Sequence, residues 1–420
     1  MAIFNKADIL LPKDADYTKW SVVACDQFTS QRDYWERAAK TVGDAPSTLK
    51  IIFPEVYLSD PDPDRRIRAI NAEMEKYVKD GLLHEYKDSL FYVERTQSDG
   101  KVRHGIIGAV DLEEYDFSKG SQSAIRATEG TIIERIPPRR RIRINAPLEL
   151  PHILMLIDDR ERSIVEGVSA NAGSYEKLYD FELMEGSGHL RGWRISDADA
   201  DAVLEKLRAL EDRKAFRDKY GVSDKGVLVI AVGDGNHSLA TAKTCWEEIK
   251  QGLSEKERET HPARFALVEL MNIHDEAIEF EPIQRVIFGT DPKKLMDALI
   301  AYYPQVSFED NGGQKIRYTY QGREGTLYIT DAPSNLPVGT LQRFLDVYLS
   351  WNGGEIDYIH GDDVVRELTK EKNTIGFMVD KMEKNDLFTT VIKDGALPRK
   401  TFSMGEAQDK RFYLECKAIK

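Results

Sequence analysis

The stretch VGDGNHSLATAK, residues 232–243, sets two glycines, an aspartate, an asparagine and a histidine between an apolar run and a helix-like pattern. A glycine turn that joins a buried strand to a helix presents backbone N–H groups at the helix N-terminus, where the helix dipole also favours negative charge. Gly233 and Gly235 let the backbone approach an anion closely. His237 can donate to a phosphate oxygen, and Asp234 can hold Mg²⁺ or orient a hydroxyl. The backbone amides of Gly235, Asn236, His237 and Ser238 complete a phosphate cradle. The spacing is not that of a Walker loop, because no Lys-Ser/Thr pair closes it, and GxGxxG is absent. The competing reading is a tight turn with Asn236 or Ser238 as the helix N-cap.

The elements that would position this turn are legible on both sides. GVLVIAV (226–232) reads as the best buried strand of the chain, and SLATAKTCWEEIKQGL (238–253) as the helix after it. The rest alternates in the same way. WSVVAC (20–25), LFYVERT (90–96), HGIIGAVDL (104–112), HILMLIDD (152–159) and RFALVELMN (264–272) are strand-like, and an SDG turn joins the second to the third. Residues 31–40 and 61–83 are helix-like, 178–195 hold a hairpin, and 197–221 read as one long amphipathic helix closed by Gly221. From about 291 the alternation restarts, with a hairpin across Gln321 and Gly322 and strands at 354–361 and 374–380. The class is mixed α/β, sheets with flanking helices. Soft boundaries near 115 and 290 give three regions, 1–115, 116–290 and 291–420. Residues 113–150 differ from their surroundings: they are charged, punctuated by prolines, and carry RRRIR at 139–143. A loop with one short helix or strand fits them. Arg139–Arg141 can steer an anionic ligand, with Arg141 the best placed.

A formal net charge of −13 argues against sequence-independent binding to DNA or RNA, which needs a basic face, but leaves room for a local pocket for a phosphorylated small molecule. Cys25, Cys245 and Cys416 are far apart and share no ligand-like spacing, which points to a reducing compartment rather than a disulfide framework. No run approaches the roughly 18 apolar residues of a membrane span, and a cytoplasmic location is expected. IHGDD (359–363) and HDE (274–276) lack a metal-ligand spacing, and capping by Asp362 or Asp363 accounts for the first. Cys25 has no activating histidine identifiable in the sequence.

Several segments together carry a resemblance. GDGNHSL (233–239) stands where the domain-of-unknown-function family 1015 has ADGHHRY, and GIIGAVDLEEY (105–115), LYDFEL with WRI (178–195), FEPIQRVI (280–287) and DGALPRKTF (394–402) follow in the family's order. The chain thus resembles that family essentially end to end. The family in turn looks like the free-serine kinases of the ParB/sulfiredoxin-like superfamily, through a His-Glu segment, an Asp-Gly-His-His segment and a Pro-Lys-Thr segment after an EIDY strand. The corresponding pieces here are Thr128-Glu129, Asp234 to His237, and Pro398 to Thr401 behind GEIDYI (354–359). The resemblance implies a ParB/sulfiredoxin-like core and phosphoryl transfer between ATP or ADP and a small hydroxylated, serine-like metabolite, with Mg²⁺. It implies Glu129 as proton acceptor, Asp234 and His237 at the reacting phosphate, and Lys400, Thr401 and Arg285 around the phosphates. The departures are Thr128, Asn236, Ser238 and Gln284, where histidine or arginine is usual. They motivate the alternative of a protein that binds a nucleotide or metabolite without turnover.

Overall fold

Ile230, Ala231 and Val232 are fully buried in the interior of a ten-stranded sheet, as their apolar run predicts. The computed structural model describes residues 2–131 and 133–420, with the backbone alone for Arg135. These fall into two units: 1–127 with 131–278 and 406–420, and 128–130 with 279–405. Both are mixed α/β.

The sheet of the first unit runs in the order Glu176–Glu182, His189–Arg194, Phe91–Thr96, Val102–Asp111, Phe265–Asn272, Leu154–Ile157, Ile230–Asp234, Ile125–Ala127 and Tyr115–Asp116, with Phe4–Asn5 also on Val102–Asp111. The hairpin half is antiparallel. Leu154–Ile157 then lies parallel to Phe265–Asn272 and antiparallel to Ile230–Asp234. The last segment of the chain is sewn into this unit: Phe412–Tyr413 pairs with Val22–Val23, and Lys417–Ala418 with Leu148–Glu149.

Three sequence expectations are corrected here. The 197–221 stretch is two helices, Asp197–Ala209 and Arg213–Tyr220, because Asp212 caps the second by accepting from the Ala215 N–H. The strand read at 226–232 begins only at Ile230. Gly226 is held instead by side chains, donating its N–H to Gln122 Oε1 and its carbonyl accepting from Arg126. The charged 113–150 segment holds the short strands Tyr115–Asp116, Ile125–Ala127 and Leu148–Glu149 as well as a helix, Ile136–Arg143, whose two prolines sit in its first turn where no intrahelical N–H is required.

In the second unit a seven-stranded antiparallel sheet runs Val306–Ser307, Arg323–Ile329, Gln314–Tyr320, Thr374–Met378, Phe280–Phe288 and Glu355–His360, with Phe402–Met404 on the start of Phe280–Phe288. The expected hairpin turns at Gln321 and Gly322, both at positive φ.

Candidate functional site

The corner at 233–238 is sharper than the sequence suggests. Leu154 faces Asp234 and Met155 faces Val232, so Gly233 is the extra residue of a β-bulge, a device that re-aims the side chain beside it. Gly235 alone makes the turn, at φ 83°, and the helix begins at Asn236 and runs to Ile249. The N-cap position therefore belongs to Gly235, and neither Asn236 nor Ser238 fills it. The helix is drawn onto the sheet by Leu239, Ala242 and Trp246, spaced three and four apart and buried. A Cβ on Gly235 would lie 3.1 Å from the Cα of Ile153, in a backbone conformation that L residues rarely adopt. Gly235→Ala is accordingly expected to cost about 1–2 kcal/mol. A urea midpoint equal to that of the unsubstituted chain would show that the corner tolerates a side chain.

Around this corner lie groups from three distant segments of the same unit. Asp234 Oδ1 accepts the Gly235 N–H at 3.0 Å, and its Oδ2 is 3.1 Å from Lys410 Nζ. His152 Nε2 is 3.0 Å from Ser238 Oγ and 3.6 Å from Asp26 Oδ2, while its Nδ1 is 2.7 Å from the Tyr413 hydroxyl. Tyr413 donates to Cys25 Sγ at 3.1 Å and accepts the Cys25 N–H at 3.3 Å. Burial by itself would drive His152 toward neutrality, but the Asp26 carboxylate outweighs it, helped by Asp234, and the histidine's pKa is raised. Burial likewise opposes ionisation of Asp26, yet the His152 charge holds it well below the usual carboxylate range. Each partner thus favours the charged form of the other. Burial pushes the Cys25 thiol up to about 12, with Asp26 adding to the effect. Cys25 therefore stays a thiol at neutral pH, and the histidine found near it does not make it a nucleophile.

A cavity of about 140 Å³ opens beside Ser238, with His152, Tyr413 and Arg139 in its wall. The arginine cluster is a set of ion pairs: Arg139 with Glu55, Arg140 with Glu248 at 2.5 Å, and exposed Arg141 with Asp64. Arg139, not Arg141, reaches the cavity.

Mg²⁺ does not fit at Asp234. One oxygen takes a backbone N–H and the other an ammonium, so a cation there would displace Lys410 and face its charge. Among the described residues no group of three metal-ligating side chains occurs. His274 turns to Asp158 and Asp275 to His104, while Asp362 pairs with Arg317 and Gln284. Gly361 holds the N-cap position in front of Asp362 and Asp363.

The remaining expected site residues belong to the second unit, which brings several of them together. Glu129 forms an isolated bridge with Leu397, whose N–H donates to the Thr128 carbonyl at 2.7 Å. Arg285 is fully buried: it donates to Gln342, to the Ile283 carbonyl and to the Arg399 carbonyl, and its guanidinium lies 5.3 Å from the Tyr358 ring centre. Burial pulls its pKa down to about 10 against the opposing charge of Glu129. Its contacts are those of a residue that knits the 397–401 segment to the sheet. Thr401 is buried, with its hydroxyl on the Pro398 carbonyl at 2.6 Å, and Lys400 is exposed at φ 57°. Gln284 accepts the Val379 N–H and donates to the Val379 carbonyl, a two-way bond that needs an amide.

Asp26, His152, Lys410 and Tyr413 were not found by sequence reasoning, and Arg139 was named there only behind Arg141. The usable signal was charge inside apolar runs: CD at 25–26, H at the head of HILML, and KR ahead of FYL at 410–414.

Residues 7–348 match the family described as "Protein of unknown function (DUF1015)", and the chain belongs to that family. No curated protein matches the chain. Among solved structures, a C-terminally truncated SbnI from Staphylococcus aureus is similar over 71% of this chain and 83% of its own, at 10% identity and a TM-score of 0.36. A free serine kinase in complex with AMP is similar over 75% and 92%, at 10% identity and 0.37. A conserved hypothetical protein from Pyrococcus furiosus is similar over 76% and 96%, at 10% identity and 0.36.

Proposed function

We propose that this DUF1015 chain binds a nucleotide phosphate at the Gly235–Ser238 corner and transfers a phosphoryl group to a small hydroxylated metabolite. The observation that carries the reading is the pair of cationic side chains, Lys410 and His152, held within 3.1 Å of Asp234 and Ser238 at a helix N-terminus. Phosphoryl transfer asks a protein mainly for positioning and charge neutralisation. The helix end supplies N–H donors, His237 stands in its first turn, and Lys410 supplies neutralising charge beside it. Asp234 acts by holding Lys410 in place. Metal ion arriving on ATP belongs to the substrate, and no step is routed through a protein-bound one. Glu129, the proton acceptor that the resemblance implies, lies with Lys400 and Thr401 in the second unit and is tested separately.

The test is incubation with ATP or ADP, Mg²⁺ and a panel of hydroxy acids and hydroxy-amino acids, with phosphorylated product read by mass. Product is expected, and Glu129→Gln is expected to slow its formation. No product from any pair, or an unchanged rate for Glu129→Gln, would overturn the corresponding assignment. The alternative, binding without turnover, is favoured by one observation: both oxygens of Asp234 are already engaged. Thermal shift beside the product assay separates the two: a ligand at a hundredfold over Kd stabilises by about 2.7 kcal/mol whether or not it reacts, so stabilisation without product favours binding alone.

A further inference from the structure

The cavity beside Ser238 is not of the kind that phosphate or serine would fill. Its body is walled by Ile51, Phe53, Met74 and Leu148, its uncharged polar groups include Tyr413 and Ser238 beside His152, and the charged side chains in its wall, Arg139, Arg143 and Glu149, are held in ion pairs. Protein interiors hold few voids larger than a water molecule. About 140 Å³ of mostly apolar space is several times that, and matches a cavity that holds one benzene-sized ring. An apolar pocket with a few convergent polar groups is the usual form of a small-molecule site.

The hydrogen bonds at its polar end fix which group is left to meet a ligand. Tyr413 has one proton and gives it to Cys25 Sγ. The bond between His152 Nδ1 and the Tyr413 oxygen is therefore donated by the histidine. Nε2 faces both the Asp26 carboxylate and Ser238 Oγ, so it too carries a proton, and Ser238 accepts from it. The Ser238 O–H is then directed away from His152, as a donor at the junction of cavity and helix corner.

We infer that the cavity seats the apolar body of the acceptor: a hydroxylated compound with one aromatic ring, or a branched aliphatic chain of like size, whose oxygen accepts from Ser238. The identity of the ligand as acceptor rests on the phosphoryl-transfer reading; the class of compound rests on the cavity alone. Serine, with a one-carbon side chain, would leave the space empty.

The experiment measures binding of 3-phenyllactate, serine and ATP separately, by thermal shift and calorimetry, to the full chain and to two variants. Phenyllactate is expected to raise Tm where serine at equal concentration does not. Ala146→Phe, which fills the cavity from its wall, is expected to weaken phenyllactate about tenfold or more and to leave ATP unchanged. Ser238→Ala removes only the polar contact and is expected to weaken phenyllactate about five- to tenfold, which keeps the test open should the larger substitution fail to fold. Absence of a phenyllactate shift in the unsubstituted chain, or equal affinity in Ala146→Phe, overturns the inference. ATP binding without phenyllactate binding refutes the cavity and spares the phosphate corner. Phenyllactate binding without any nucleotide binding refutes the corner and supports the ligand class.

Discussion

Arg411→Met is expected to cost about 3–5 kcal/mol of folding free energy, the range for stranding a buried charge. Arg411 bonds Glu269 through one terminal nitrogen and Glu415 through the other, and all three side chains are almost wholly inaccessible to water. Tyr179 completes the set by donating to Glu415 at 2.5 Å, and Arg103 stands 3.5 Å from Glu269. Methionine fills much of the same volume, so the loss is one of charge. The effect reaches the corner through the chain on both sides. Lys410 and Tyr413 flank Arg411, and Glu269 lies on the strand beside Leu154, next to the Ile153 that bounds Gly235. Anion binding is therefore expected to weaken along with stability. The pH dependence gives a second reading. Burial would raise the Glu269 pKa, but the charges of Arg103 and Arg411 hold it below its ordinary value. A depressed carboxylate contributes stability above its unfolded pKa, about 4.3, and that contribution is lost as pH falls through the lower folded value. In Arg411→Met one of the charges that oppose burial is gone, Glu269 takes up a proton more readily than in the unsubstituted chain, and the deficit should narrow as pH falls. Urea unfolding at several pH values measures this, with Glu415→Gln added to relieve part of the loss. A deficit below about 1 kcal/mol at neutral pH, or one that does not change with pH, would refute a charge-stranding account.

How much of this was legible in the sequence depends on distance along the chain. The corner was, because an apolar run, two glycines and a three-four apolar repeat are local patterns with local causes. Its details shifted by a few residues: the bulge at Gly233 and the single-residue turn at Gly235 depend on what Leu154 and Ile153 do across the sheet. The partners were not legible. Ser238 meets His152 across 86 positions, and His152 meets Tyr413 across 261. No periodicity encodes such pairs. What sequence did carry was the oddity of charge within apolar runs, at Asp26 and at Lys410–Arg411, and buried charge demands a partner. The same reasoning applies in reverse to Arg285. Its place after an apolar strand was visible, but only the fold reveals that its donors are consumed by Gln342 and two carbonyls. The break in the 197–221 helix was available in the sequence, since Asp212 is a good N-cap residue; the unbroken amphipathic period masked it.

Affinity of the corner for a tetrahedral dianion is expected to fall as pH rises through the His152 pKa. The groups facing this histidine are the Asp26 carboxylate, the Ser238 and Tyr413 hydroxyls, the Asp234 charge, and the opposing charge of Arg139. Their net effect is a pKa raised above 6.5. The cation and the stability it contributes are therefore fully present below the unfolded value and are lost as pH rises through the folded one. Both ring N–H groups are already given to Ser238 and Tyr413, so His152 acts on the anion by charge alone, and the affinity should drop roughly three- to tenfold across the transition. Sulfate is the suitable probe, because it does not itself titrate between about pH 5.5 and about pH 8.5, the range in which histidine does. Asp26→Asn removes the carboxylate that overrides burial, so the His152 pKa should fall and the loss of affinity should move to lower pH. His152→Gln keeps a donor for Ser238 without the titrating charge, and its profile should be flat. Equal pH slopes in His152→Gln and the unsubstituted chain would assign the effect to another group, and Lys410, 3.1 Å from Asp234, would then carry the corner's charge without His152.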